Sequence, residues 1–223
     1  MARSYIRKIC EVILYPKIHW LKFARTVIYH FYWHKLTGKQ YTGLQFGGGE
    51  NRIKDFLNID GDWMAACDVI ADANRSIKFR SNSFHVIYSS HVFEHVPRFK
   101  TKKVLTEWHR VLKPGGKCYI AVPDLEEVLK EYARGLSSFD TEDGKKNAEL
   151  MAGIIYGGQD TIHNFHYFGY SFVTLKSLLE SVGFTQVKRF DRSKLEFCPF
   201  DDAALSAGAG KLSLNVEALK GLN

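Results

Sequence analysis

Three histidines and one acidic residue between positions 91 and 163 could move a proton between a bound molecule and the protein. They are His91, His95, Asp124 and His163. Histidine has an ordinary pKa near neutral pH, so it takes a proton from a hydroxyl more readily than most side chains do. The first chemistry that the sequence indicates is therefore general base catalysis at one of these four positions.

A second group of residues could bind a small molecule that contains adenosine. Gly47, Gly48 and Gly49 predict a turn that a ligand can approach closely, because glycine has no side chain. Asp60 could accept hydrogen bonds from a ribose diol, and Asp72 from an exocyclic amine such as that of adenine. Either aspartate alone is typical of a helix cap or a loop, but the three features in this order favour adenosine. The glycines do not extend to GxGxxG, and GxxxxGK[ST] is missing from the sequence, which disfavours dinucleotides and nucleoside triphosphates.

The segments that must position these residues alternate between strand and helix patterns. The predicted strands are 44–46, 56–59, 68–71, 84–89, 118–122, 187–190 and 212–216. The predicted helices are 101–112, 125–134 and 172–182. This alternation predicts a parallel sheet with helices on both faces, in which ligands bind beyond the carboxyl ends of the strands. The glycines, the aspartates and His91 all fall at such ends.

Eight segments resemble the class I S-adenosylmethionine-dependent methyltransferases, above all the small bacterial branch associated with surface-polysaccharide biosynthesis. They are LQFGGG (44–49), LNID (57–60), DVIADA (68–73), SFHVIYSSHVFEHV (83–96), RVLKPGG (110–116), VPDL (122–125), YGGQD (156–160) and SLNVEA (213–218). The resemblance covers about residues 42–220. Its most specific part is the RVLKPGG segment that follows SSHVFEH.

The resemblance implies a Rossmann-like α/β fold with a seven-stranded sheet whose last strand is antiparallel. It implies S-adenosyl-L-methionine as the cofactor, with the glycines at 47–49 passing under its methionine part. It also implies that Ser89, Ser90 and His91 line the sulfonium end of the cofactor. On this basis the protein is expected to be a methyltransferase.

At the adenosine end, the resemblance implies that Asp60 binds the ribose and that Asp72 and Ala73 frame the adenine. Two features depart from the family pattern. Gln45 stands where the family usually has an acid, which weakens one contact to the amino group of the cofactor. The stretch between Gly49 and Asp60 is short, so we expect little room for a first helix.

Methyl transfer to an oxygen is helped by a base, and we prefer His91 because it directly follows the fourth strand. His95 and His163 are the next candidates, and Asp124 lies opposite at the end of the fifth strand. Glu94 and His95 could instead only cap a helix or bond to neighbouring backbone. The histidines after residue 160 could hold a metal, but no compact ligand spacing supports one, so we predict no metal site.

The acceptor is predicted from the insertion at 137–170, where aromatic and polar residues alternate. Tyr156, Phe165 and Tyr167 lie among His163 and His166. Aromatic faces with polar edges suit a sugar ring, although they suit other flat molecules too, and some of the rings could be core. We predict O-methylation of a sugar in a glycan or a lipid-linked glycan precursor. The alternatives are a methyltransferase for another small molecule or lipid, and a catalytically silent binding module.

Length and cysteine spacing set the physical class of the protein. A chain of 223 residues buries enough surface to fold without disulfides or metals. The four cysteines are scattered, with neither a CxxC pair nor a nearby Cys/His pair, which is typical of a reducing compartment. We therefore expect a cytoplasmic protein.

The net charge of +7 comes entirely from the first forty residues, which hold eight Lys/Arg and one acid. We divide the chain into a basic amphipathic helical extension at 1–40 and a methyltransferase domain at 41–223. The extension could lie on an anionic membrane at the inner face of the cell membrane, or it could pack on the domain. Nucleic acid is not an expected partner, since the domain itself has no basic excess. The sequence indicates no oligomeric state.

Overall fold

The computed structural model describes residues 41–49, 51–62, 67–73, 79–136, 141–161, 164–198 and 212–222. The extension predicted at 1–40 lies outside these ranges. The strands are β1 (Gly43–Phe46), β2 (Phe56–Asp60), β3 (Val69–Ile70), β4 (Phe84–Ser90), β5 (Leu112–Pro123), β6 (Phe184–Arg189) and β7 (Ser213–Lys220). The α-helices are α1 (Thr101–Val111), α2 (Leu125–Leu136), α3 (Glu142–Tyr156) and α4 (Phe172–Glu180). None of the helices in the described ranges combines the length and the apolar character that crossing a membrane requires.

The seven strands form one sheet in the order β3-β2-β1-β4-β5-β7-β6. The first five strands run parallel, and β7 is antiparallel to both of its neighbours, β5 and β6. The predicted Rossmann-like fold with its antiparallel last strand is confirmed. The chain leaves β1 towards β2 on one side and later returns to β4 on the other, so the strand order reverses between β1 and β4. Ligands of open α/β sheets bind at such a reversal.

The core under one face of the sheet is built by helix α1. Its predicted apolar stripe is buried, and Trp108 stacks on Phe46 of β1 with ring centroids 4.8 Å apart. Phe93 lies 5.7 Å from the same tryptophan. Phe46 ends β1 and Phe93 follows the end of β4, so this stacking lies at the carboxyl edge of the sheet, where a ligand would bind.

The connection between β1 and β2 is short and contains no helix in its described residues, 47–49 and 51–55. The buried side chain of Gln45 holds it in place. Its Nε2 donates to the carbonyl of Asn51 (2.7 Å), and its Oε1 accepts from the backbone N–H of Ile53 (2.8 Å). Gln45 is therefore a structural residue of this connection, because its amide nitrogen and its amide oxygen both form hydrogen bonds with the backbone.

The other face of the sheet is covered by the segment 190–198, which lies between β6 and β7. Phe197 stacks on Phe56 of β2 at 5.2 Å and also contacts Tyr88 and Tyr119. Arg192 is buried under the same segment, where it donates from Nη1 to the Oγ of Ser90 (3.2 Å). This late segment covers the aromatic face beside the short β1–β2 connection.

The insertion differs most from its sequence prediction. Helix α3 occupies 142–156, where no helix was predicted, and it begins at Thr141, whose Oγ1 accepts from the N–H of Gly144 (3.0 Å). Its sequence contains two glycines and many exposed charges, so its helical pattern is weak. The strands predicted at 187–190 and 212–216 are real but begin or end elsewhere, at Phe184–Arg189 and Ser213–Lys220.

Candidate active site

A cleft of about 330 Å³ opens at the carboxyl ends of β1 to β4. Its volume lies in the range of about 300–1,000 Å³ that is usual for small-molecule sites. The described residues that line it come from the glycine turn, from the ends of β2 and β3, from the segment after β4 and from the insertion: Phe46, Gly47, Ile59, Asp60, Gly61, Asp62, Ala71, Asp72, Ala73, His91, Val92, His95, Val96, Asp160, Thr161 and Asn164.

The glycine turn leaves no room for a Cβ at Gly47 or Gly48. Gly47 has a φ of 66°, and a methyl group of Val92 occupies the place where its Cβ would lie. A Cβ on Gly48 would lie 2.6 Å from Nε2 of Gln45 and 2.7 Å from Oδ1 of Asn58. Gly47 lines the cleft, whereas Gly48 packs on buried side chains beneath it. The turn thus brings backbone to the edge of the cleft.

Asp60 stands at the end of β2 and is held by the backbone on both oxygens. Oδ2 accepts from the N–H of Gly49 (2.9 Å), and Oδ1 accepts from the N–H of Asp62 (2.8 Å). Each carboxylate oxygen can accept a further hydrogen bond, so the group can still bind a ligand. Asp72 and Ala73 line the same cleft from the end of β3. The structure therefore brings together the residues that were predicted for the adenosine part.

Ser89 and Ser90 are placed differently from the prediction. Neither is among the residues that line the cleft. Ser89 is fully buried inside β4, and Ser90 accepts its hydrogen bond from Arg192 on the opposite side. Strand β4 runs on to Ser90, so the chain turns into the cleft one residue later, at His91.

His91 lines the cleft with both ring nitrogens in contact with polar groups. Its backbone has a φ of 51°, which is rare for a residue with a side chain. Nε2 lies 3.0 Å from the Oγ of Ser213, and Nδ1 lies 3.3 Å from Oε1 of Glu94. Since a carboxylate can only accept, the neutral ring carries its proton on Nδ1, and Nε2 offers a lone pair to the hydroxyl.

Glu94 is buried, with 2% of its surface exposed, and three histidines surround it. Its Oε1 lies 3.3 Å from Nδ1 of His91, and neither oxygen has a well-aligned hydrogen bond to another described residue. Burial by itself would raise the pKa of Glu94, but His91, then His95 and His166, outweigh it and hold that pKa below its ordinary value. The prediction that Glu94 caps a helix finds no support, because the short 3-10 helix at 93–95 has no side-chain cap.

His95 and His166 face each other beside Glu94, with ring centroids 4.7 Å apart. The Nδ1 of His95 contacts the carbonyl of Phe165 (3.0 Å), and the Nδ1 of His166 contacts the carbonyl of Ile154 (2.8 Å). Burial lowers the pKa of His166, although Glu94 opposes this shift. The sequence predicted His95 as a base candidate but did not associate His166 with Glu94.

Asp124 does not line the cleft. Its Oδ2 accepts from Nη1 of Arg189 (2.8 Å), and its Oδ1 accepts from the N–H of Glu126 at the start of α2 (3.2 Å). The side chain is buried, so it joins β5, α2 and β6 instead of reaching a ligand. His163, the remaining predicted candidate, lies outside the described residues.

Sequence reasoning did not predict Ser213 as part of this site. It is the first residue of β7, which pairs with Pro123 at the end of β5, and this register brings its hydroxyl to His91. The SLNVEA segment was a signal, since it was one of the segments of the family resemblance, but no role had been attached to its serine. Asp160, Thr161 and Asn164 of the insertion also line the cleft.

Comparisons with known proteins agree with this site. Residues 29–120 match the family model described as a methyltransferase domain, and a search of curated proteins found no match. Among solved structures, a methyltransferase from Methanosarcina mazei is 16% identical over 81% of this chain and 92% of its own (TM-score 0.49). One from Archaeoglobus fulgidus is 14% identical over 88% and 94% (TM-score 0.48).

The CurJ carbon methyltransferase is 13% identical over 80% of this chain, which spans 48% of that protein (TM-score 0.48). Likenesses at this level concern neither the activity nor the acceptor. The family match carries the assignment, because it covers β1 to β4 with the glycine turn, Asp60, Asp72 and His91. Residues 29–120 thus match a methyltransferase domain, which supports S-adenosylmethionine as the methyl donor of this chain.

Proposed function

We propose that the enzyme methylates a hydroxyl oxygen of a sugar in a glycan or a lipid-linked glycan precursor. The observation that carries the choice of oxygen is the 3.0 Å contact between Nε2 of His91, which lines the cleft, and the hydroxyl of Ser213, which does not. A lone pair aimed at a hydroxyl is the arrangement that a general base requires.

The residues of the cleft fit S-adenosylmethionine. Backbone approaches the cleft at Gly47, where a side chain would meet Val92, and such a close approach suits the methionine part of the cofactor. Asp60 has acceptor capacity left for a ribose diol, and Asp72 with Ala73 stands where the adenine would lie. When bound, the cofactor supplies a methyl group on a positively charged sulfur that leaves as a neutral thioether.

His91 would hold the proton of the acceptor hydroxyl on Nε2. Glu94 orients the ring through Nδ1 and stabilises the imidazolium that results, since a buried carboxylate interacts strongly with a neighbouring positive charge. In this proposal an acceptor hydroxyl takes the place of the Ser213 hydroxyl at Nε2. His91 is the catalytic residue of this proposal, and Glu94 is a positioning residue.

The insertion supports a sugar as the acceptor. Tyr156, Phe165 and Tyr167 expose 61%, 37% and 54% of their surfaces, although burial is the rule for rings of this size. They lie within a few residues of Asp160 and Asn164, which line the cleft. Exposed rings next to polar side chains can bind the apolar face and the hydroxyl edges of a sugar at once.

A lipid carrier for the sugar is supported by charge alone. The excess of positive charge lies in residues 1–40, and each Lys or Arg near an anionic membrane contributes about 1 kcal/mol of attraction. We propose that this segment holds the enzyme at the inner face of the membrane, where a lipid-linked acceptor would be found. Binding of the full chain and of a chain lacking residues 1–38 to anionic vesicles tests this step, and equal binding would contradict it.

Cofactor binding is the first test of the proposed function. Isothermal titration with S-adenosylhomocysteine should show binding by the wild type and a loss of about tenfold or more in Asp60→Ala, as expected for a lost hydrogen bond to a charged acceptor. Asp55→Asn is the matched control, because Asp55 is exposed, lies outside the cleft and has a positive φ that asparagine tolerates. Wild-type affinity in Asp60→Ala would refute the assignment of this cleft.

Methyl transfer to candidate acceptors distinguishes a sugar from other small molecules. The full chain is supplied with methyl-labelled cofactor and with two panels, one of mono- and oligosaccharides with or without a lipid carrier, the other of non-sugar alcohols and phenols. Label in the first panel, at a hydroxyl oxygen, supports the proposal. Label only in the second panel would contradict the sugar, and cofactor binding without label in either panel would favour a silent binding module.

A further inference from the structure

A cluster of three potential metal ligands lies beside the cofactor cleft. Glu94, His95 and His166 each offer one ligand atom, and these atoms all lie within 4.8 Å of one another. His95 lines the cleft, whereas Glu94 and His166 line a neighbouring cavity of about 10 Å³. That cavity holds roughly one water-sized atom. The cluster thus occupies the wall between the two spaces.

Both histidines present a lone pair on Nε2. The carbonyls of Phe165 and Ile154 can only accept, so the Nδ1 atoms of His95 and His166 carry the protons of the neutral rings. Metal-binding histidines almost always donate one ring N–H to a carbonyl or a carboxylate in this way, which fixes the other nitrogen as the ligand. The outer partners that a metal site needs are therefore already in place.

The buried carboxylate supplies an independent observation. Glu94 is almost fully buried, and neither of its oxygens has a well-aligned hydrogen bond among the described residues. His91 contacts only Oε1, at 3.3 Å. A buried charge without adequate partners is strongly unfavourable, and a cation between Glu94 and the two histidines would remove that cost.

We infer that Glu94, His95 and His166 bind a divalent transition-metal ion of the zinc type. Two imidazoles and one carboxylate suit zinc and its neighbours in the periodic table, whereas magnesium and calcium prefer oxygen ligands alone. Ligand atoms on a tetrahedral zinc ion lie about 3.4 Å apart, so the side chains must close by roughly 1 Å around the ion. Three protein ligands leave a coordination position open, as in catalytic zinc sites.

The site would act on the acceptor side of the cleft. An acceptor hydroxyl at the open position would be polarised by the ion, which favours the release of its proton to His91. This consequence rests on the proposed O-methylation, but the metal site itself does not, because the cluster is defined by the protein alone. The proposed metal site departs from the expectation, made from sequence spacing, that the chain has no such site.

Direct metal binding tests the inference without cofactor or acceptor. The purified full chain is dialysed against a chelator and then titrated with Zn²⁺ by calorimetry. We expect one equivalent to bind. His166→Asn keeps a donor for the Ile154 carbonyl but removes Nε2, and Glu94→Gln keeps the shape of the carboxylate but removes its charge. Each should weaken binding by at least the roughly 10- to 100-fold that loss of even an outer partner costs.

His85→Gln is the matched control, since His85 is an exposed histidine of β4 outside the cluster. It should bind Zn²⁺ as the wild type does. S-adenosylhomocysteine binding by the metal-free variants shows that they are folded, and His166→Asn keeps the test decisive if Glu94→Gln does not fold. The inference is overturned if the wild type takes up no Zn²⁺, or if His166→Asn binds it as tightly as His85→Gln.

Discussion

The imidazole of His91 lies 3.0 Å from the hydroxyl of Ser213, although 122 residues separate the two along the chain. His91 directly follows β4, and Ser213 begins β7, with the end of β5 between them. The contact therefore depends on the antiparallel placement of the last strand. Because His91 lines the cleft, its Nε2 lone pair, which contacts the Ser213 hydroxyl, lies at one side of the cleft.

Replacing His91 should separate catalysis from cofactor binding. In His91→Asn the amide nitrogen can still face Glu94, and asparagine tolerates the positive φ, but the basic Nε2 is lost. We expect kcat for the methylated acceptor to fall by about 10²- to 10⁴-fold, the usual contribution of a general base. Binding of S-adenosylhomocysteine should be unchanged. His85→Gln serves as the control, and an unaltered kcat in His91→Asn would exclude His91 as the base.

The glycine turn provides a pair of substitutions with different physical consequences. Gly48→Ala forces its Cβ against the buried amide of Gln45, which holds the β1–β2 connection, so stability should fall by about 1–3 kcal/mol. Gly49→Ala meets no atom within 4 Å and bears only the strain of its positive φ, about 1 kcal/mol. Urea unfolding measures both. A greater loss in Gly49→Ala would contradict the packing described here.

The buried ammonium of Lys220 fastens the last strand to the end of helix α1. Its Nζ donates to Oδ1 of Asn82 (2.8 Å) and to the carbonyl of Leu112 (2.7 Å). Lys220→Met would leave these acceptors unpaired, and we expect a loss of about 1–3 kcal/mol in the free energy of unfolding. Lys188→Met is the control, because Lys188 is exposed and its ion pair with Glu217 contributes at most about 1 kcal/mol. Equal losses would argue against this role of Lys220.

His109 should make the fold less stable in mild acid. Burial, and then the charge of Lys220, lower its pKa in the folded protein, although a hydrogen bond with the Gly183 backbone opposes them. As pH falls through about 6.5, His109 becomes protonated in the unfolded chain but stays neutral in the folded chain. The free energy of unfolding therefore decreases. Above that pH the contribution is fully present.

The measurement for His109 is urea unfolding of the wild type and of His109→Gln between pH 7.5 and 5.5. Other groups titrate in both proteins, so the difference between them isolates this histidine. We expect the wild type to lose more stability than His109→Gln over this interval. The same loss in both proteins would show that His109 titrates alike in the folded and unfolded chains.

Most strands and the ends at which ligands bind could be predicted because they follow from local apolar runs and general rules of parallel sheets. Asp60 and Asp72 were placed on one cleft in this way. Ser89 and Ser90 were misplaced, because a central strand is buried on both faces and its sequence does not alternate. Without an alternation of apolar and polar residues, the sequence does not indicate the residue at which the strand ends.

The cluster of Glu94, His95 and His166 could not be predicted for a different reason. His166 reaches the cluster through the insertion, whose path depends on contacts such as the bond from the Tyr167 N–H to the Glu94 carbonyl (2.8 Å). Helix α3 has a weak apolar stripe, so no periodic signal shows where the chain returns. The position of His166 beside Glu94 therefore depends on tertiary contacts, which the local sequence pattern does not show.

The segment 190–198 has a consequence for biosynthesis. Until it has been made, a growing chain leaves Phe56, Tyr88 and Tyr119 without the ring of Phe197 that covers them. An uncovered aromatic sheet face on the ribosome is prone to association with other chains. This face of the sheet therefore gains its covering layer only after residue 198 has emerged, although Phe56, Tyr88 and Tyr119 are synthesised long before.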